Sequence, residues 1–174
     1  MRGWPFRPAL PLMLCITSCA TRASSEGASD WKMFELGDFS VSLPSDMRSV
    51  PVRGIDSHVG EFQGEGLKVD FDYGWYSNSL TRRDLSSSRD LQFFSEEWTL
   101  IDGRRAKIVH ASWTAKEGAK PDYFCGVYFP DVSLEDPNSK GRSITKLNLC
   151  ISSERPIDPA LADHAFRSIR FGTR

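Results

Sequence analysis

The chain has 174 residues, of which 40% are hydrophobic and 26% charged, and a formal net charge of −1. That composition fits one folded domain and argues against a disordered chain or one built of membrane spans. A near-neutral balance without a Lys/Arg stripe also argues against nucleic acid, whose binding depends on clustered cations that release counterions.

In chain order, the first segment differs from the rest. Arg2 and Arg7 are its only charges, and the apolar run Ala9-Leu10-Pro11-Leu12-Met13-Leu14-Cys15-Ile16 follows. The run is about half the roughly 20 residues a spanning helix needs, and prolines interrupt it, so it reads as the n-region and h-region of an export signal over residues 1–18. At its end, Ile16-Thr17-Ser18-Cys19 resembles the bacterial lipobox, an aliphatic residue and two small ones before the cysteine that receives a diacylglyceryl group. The resemblance implies a signal peptide, palmitate-type acylation at Cys19 and a lipoprotein held by its lipid. One acyl chain binds a bilayer only reversibly, whereas two or three retain a protein there. Ala20, in place of an aspartate after the cysteine, implies the outer membrane, with the domain facing the periplasm. Ordinary cleavage at Ser18-Cys19-Ala20, which would leave a freely soluble product, is the alternative. Loss of residues 1–18 removes Arg2 and Arg7 and no acid, which takes the net charge of −1 to −3.

Residues 19–30, small and polar, form the lipidated cysteine and a flexible tether reaching at most about 35 Å. A single domain over 31–174 follows. Asp38-Phe39-Ser40-Val41-Ser42-Leu43-Pro44 alternates at period two and closes on proline, the pattern of a half-buried strand. His58–Gln63 and Leu67–Tyr73, separated by Gly64-Glu65-Gly66, read as a hairpin with Leu67, Val69, Phe71 and Tyr73 on one face and Lys68, Asp70 and Asp72 on the other. Residues 77–90, rich in serine and charge, read as a long exposed loop with room for a short helix. Glu97–Leu100 and Ala106–Trp113 flank an Asp102-Gly103 turn and make a second hairpin.

With Cys15 lost in the signal and Cys19 lipidated, Cys125 and Cys150 remain, each in a strand-like run. In an oxidising envelope an even pair points to a disulfide, and antiparallel pairing with 125 opposite 150 would close it. The loop of about 24 residues would contribute roughly 3 kcal/mol. Two buried free thiols acting as small hydrophobes are the alternative. Asp158-Pro159 then supplies an N-cap and a first-turn proline, and Leu161, Ala162, Ala165, Phe166 and Ile169 recur at helical spacing. The fold class is therefore α+β, an antiparallel β-sheet of hairpins packed against a C-terminal helix in one domain.

The opening run Phe34–Pro44 and the closing Ala165-Phe166-Arg167-Ser168-Ile169-Arg170-Phe171 resemble the ends of PsbP/DcrB-like domains, in which an early strand ends in proline and a terminal helix leads into Ser-Ile-x-Phe. That resemblance implies an antiparallel sheet flanked by helices and a binding or assembly role in the envelope. It carries over no site residues.

Candidate chemistry is sparse. His58, His110 and His164 fall on separate elements with no close spacing, so a shared metal or acid–base site would need convergence in the fold. Glu61, Asp70 and Asp72 could share the polar face of one hairpin, but no Asp-x-Asp-x-Asp-Gly loop accompanies them, and a solvated carboxylate face is the plainer reading. No Gly-x-Ser-x-Gly elbow or phosphate-cradling glycine loop occurs. Trp75 and Tyr76, following a strand end, are the candidate partner-binding residues; the alternative is that they cap the core of the sheet. The expectation is a non-enzymatic, cofactor-free and metal-free envelope lipoprotein that binds a protein partner or assists an assembly. An inhibitor or immunity-type lipoprotein against an envelope-acting enzyme or toxin is the second reading, and a hydrolase of envelope material the third.

Overall fold

The computed structural model describes residues 30–87, 90–114, 122–133 and 144–172. The signal, Cys19 and all of the tether but Asp30 lie outside them. In chain order the elements are β1 (Trp31–Glu35), β2 (Phe39–Pro44), β3 (Arg48–Val50), β4 (His58–Gly64), β5 (Leu67–Gly74), α1 (Arg82–Ser86), β6 (Leu91–Ile101), β7 (Arg104–Trp113), β8 (Asp122–Phe129), β9 (Lys146–Ser153), α2 (Pro159–Arg167) and β10 (Arg170–Phe171). Two antiparallel sheets result, a three-stranded one in the order β1-β2-β10 and a seven-stranded one in the order β3-β4-β5-β9-β8-β7-β6. This is the α+β fold with a C-terminal helix that the hairpin pattern predicts.

Both hairpins close as read. The β4–β5 turn places Glu65 at φ 34° and Gly66 at φ 78°, and the β6–β7 turn places Asp102 at φ 50° and Gly103 at φ 71°. Two consecutive positive φ values give a two-residue turn whose twist matches its strands. β6 begins at Leu91, six residues before the strand read from Glu97. The sequence reading also lacks β1, β3 and β10. β10 pairs with β2 through only Arg170 and Phe171, and the backbone N–H of Phe171 donates to Asp102 Oδ2 at 2.9 Å.

The larger core lies on one face of the seven-stranded sheet. Phe39, Val41 and Leu43 of β2 and Ala162, Ala165 and Phe166 of α2 bury against Val69, Phe71, Val127, Leu149 and their neighbours. Asp158 caps α2 by accepting from Ala160 N at 2.9 Å, and the spacing of its apolar residues turns one stripe of the helix to that core. We call this covered side of the sheet the inner face. The outer face has a smaller cluster, in which Leu80 lies on Val109, Ala111, Phe124, Tyr128 and Cys150.

The two cysteines fall on opposite sides of this division. β8 and β9 are neighbours, as expected, but the register sets Cys125 opposite Ile151 and Gly126 opposite Cys150. A one-residue offset turns a side chain to the other face of a sheet, so Cys125 joins the inner core and Cys150 the outer cluster. Both are free thiols. The expected disulfide is corrected accordingly, since side chains leaving opposite faces cannot meet its short Cβ–Cβ requirement.

A trough on the outer face of the sheet

Residues 77–87 cover part of the outer face, and this segment is anchored where the sequence reading makes it exposed. Ser77 Oγ donates to the carbonyl of Asp72 at 2.7 Å, and Asn148 Nδ2 donates to the carbonyl of Asn78 at 3.1 Å. Leu80, buried to 3% exposure, takes φ 51°, with its N–H held by Asn78 Oδ1 at 2.7 Å. Thr81 and Asp84 then form a reciprocal capping box on α1. Gly126 lies beneath this cover: a Cβ there would come within 2.7 Å of Leu80 Cδ1 and 2.9 Å of the Phe124 ring. The missing side chain lets both lie flat on the sheet.

The cover stops short of the end of the sheet that carries the β4–β5 turn. There a trough of about 840 Å³ opens, within the size range of ligand sites. Its floor is β9, whose outward side chain at this end is the small Ser152. Register places Lys68, Ser152 and Phe124 in one row and Asp70, Cys150 and Gly126 in the next. One wall is therefore the charged edge of β5 and the other is aromatic, with the two separated by two strand spacings, about 10 Å.

The aromatic wall is rigid. Trp113 and Phe124 meet edge to face with centroids 5.8 Å apart, and Trp113 Nε1 donates to the carbonyl of Leu85 at 3.0 Å. Among the described residues, Glu65, Asp70, Asp122 and Glu154 line the trough with one cation, Lys68, and Lys68 Nζ is 2.8 Å from Glu61 Oε2. That hydrogen bond raises the Lys68 pKa and, with one from Gln63, holds the Glu61 carboxyl below its ordinary value. Asp70 is directly across from Glu61. Burial pushes its carboxyl upward, Lys68 opposes that shift and Glu61 adds to it. Burial, followed by the Asp70 and Asp72 charges, likewise pushes the neighbouring Cys150 thiol up.

The residues singled out from the sequence do not converge. Trp75 and Tyr76 follow β5 at the end opposite the trough, 55% and 72% exposed, so they do not cap the core. His58 is edge-on to Phe71, His164 rests on Trp31, and His110 Nδ1 is 3.2 Å from Cys125 Sγ. This Cys–His contact had no sequence motif to announce it. Burial pushes the Cys125 pKa up to about 11, which keeps the sulfur a thiol and makes it a poor nucleophile. Glu61 and Asp70 are adjacent, whereas Asp72 Oδ1 is buried without a hydrogen-bond partner among the described residues. Among those residues no group of three or more His, Cys, Asp and Glu side chains is arranged to hold a metal.

Sequence reasoning reached Lys68 and Asp70 as one polar face but missed the trough, because Trp113, Phe124 and Ser152 belong to it only through strand order. The usable signal is the alternation of small outward residues on β9, meaningful once β5 and β8 are known to flank it.

No family model matches the chain, and no curated protein matches it. Among solved structures, the chain is similar to a protein of unknown function, PA94, from Pseudomonas aeruginosa, at 11% identity and a TM-score of 0.33, over 77% of this chain and 87% of that one.

Proposed function

We propose that the mature protein is a lipid-anchored lipoprotein of a bacterial envelope whose domain is a binding module, with the trough on the outer face as its binding site. The anchor half of this reading rests on Ile16-Thr17-Ser18-Cys19 directly after an apolar run. The binding half is carried by one observation, the 840 Å³ opening between a charged and an aromatic wall. Rigid aromatic side chains beside a few polar groups are the usual makeup of a recognition site.

Two measurements test it. Labelled palmitate should enter the wild-type protein and not Cys19→Ser; an unlabelled wild type removes the anchor. A photo-crosslinking side chain at Glu65, on the trough rim, should trap a discrete partner in intact cells, whereas the same group at the fully exposed Ile55 should not. Identical patterns from the two positions would reject the trough as the binding site.

A further inference from the structure

The trough also specifies a chemistry for its occupant. We infer that it receives a lysine or arginine side chain of an extended partner peptide, laid across β9 with its charge at Asp70 and its stem or guanidinium plane against Phe124 and Trp113. This rests on the trough being the binding site proposed above.

Three features carry the inference. Asp70 accepts no hydrogen bond among the described residues although it stands in the trough lining, and the one lining cation, Lys68, is already engaged by Glu61 at 2.8 Å. A carboxylate so placed gains most from an incoming N–H donor that carries positive charge. The distance between the walls, about two strand spacings or 10 Å, suits a long side chain that spans from acid to aromatic. Cations are attracted to the faces of Trp and Phe rings, and the Nε1 bond to Leu85 keeps the Trp113 ring in place without preorganisation by the ligand. Finally, the lining follows β9 from Ser152 to Glu154 and β5 from Leu67 to Asp70, so the opening is a trough running with β9 and not a closed cup. An extended peptide follows such a trough; a small amine would leave most of it empty.

The probe is acetyl-Ala-Ala-Arg-Ala-Ala-amide, titrated into the full chain in detergent micelles while the amide resonances of Lys68, Phe124 and Ser152 are followed by NMR. Saturable shifts are expected at these three positions. Replacing arginine by uncharged citrulline should weaken binding about tenfold, as should Asp70→Asn, each removing one side of a charge-assisted hydrogen bond. Asp70→Asn is nearly isosteric and removes a carboxylate whose ionisation burial disfavours, so its thermal midpoint should not fall. Ser152→Leu, which fills the floor, should abolish the shifts in a protein whose spectrum elsewhere is unchanged.

Equal affinity for the arginine and citrulline peptides, or an Asp70→Asn protein that binds like wild type, would overturn the assignment. So would arginine amide alone binding as tightly as the peptide, which would make the trough a small-amine site. A trapped partner at Glu65 together with a failed peptide titration rejects the cation and leaves the binding site standing; no trapped partner removes both.

Discussion

The two faces of the seven-stranded sheet use the same strands for opposite ends. On the inner face, β2 and α2 complete a core in which Phe39, Val127, Leu149 and Phe166 are at or near zero exposure. On the outer face, the same strands turn out Lys107, Asn148, Asp70 and Asp72, and the segment from Ser77 to Ser87 covers only part of them, largely through Leu80 and hydrogen bonds. Apolar burial holds the inner side together at roughly 25 cal/mol per Å². The outer side exchanges part of that stabilisation for placed polar groups, and among the described residues it is covered only in part.

The sharpest way to break this comparison is with the thiols, because the expected effect is all or none. If Cys125 and Cys150 belong to opposite faces, both should alkylate in denaturant without reductant. Mass spectrometry showing neither modified until reductant is added would mean the β8–β9 register is wrong by one residue, and the division of faces with it. Next in size is Phe166→Ala on the inner side. It empties a fully buried site between α2 and both sheets, with an expected loss of about 3–5 kcal/mol in urea unfolding. Leu80→Ala, the matching change on the outer side, should cost less, about 2 kcal/mol, since the 77–87 segment can relax outward. It should also accelerate amide exchange in that segment while leaving β2 and α2 protected. A larger loss for Leu80→Ala than for Phe166→Ala would reverse the roles of the two faces.

Legibility in the sequence follows the same division. The inner face was readable wherever one element showed its own period: Phe39–Pro44, the odd-numbered residues from Leu67 to Tyr73, and the helical stripe from Leu161 to Ile169. Asp102-Gly103 fixed its hairpin because few other pairs tolerate two positive φ values. Reading failed where the decisive partner is distant. β10 exists because two residues meet β2, Leu80 is buried because Gly126 leaves it space, and the cysteine pair differs from expectation by a single residue of register that no local pattern encodes. The trough is of this kind, as its floor and two walls come from β9, β5 and β7–β8.

Trp75 and Tyr76 supply the smallest expected effect and the most direct contrast with the trough. Large aromatics after a strand end could serve either the core or a surface, and their exposures of 55% and 72% place them on the surface. Truncating an exposed side chain away from caps and buried networks changes stability by no more than about 0.5 kcal/mol. Trp75→Ala and Tyr76→Ala should therefore each unfold within that margin of wild type in urea. Because they lie at the end of β5 remote from Lys68 and Ser152, neither should alter the arginine-peptide titration. If the in-cell crosslink from Glu65 nevertheless disappears in Trp75→Ala, the partner must extend along the whole outer face, and the trough would be one part of a larger interface in which the aromatic pair is a second contact.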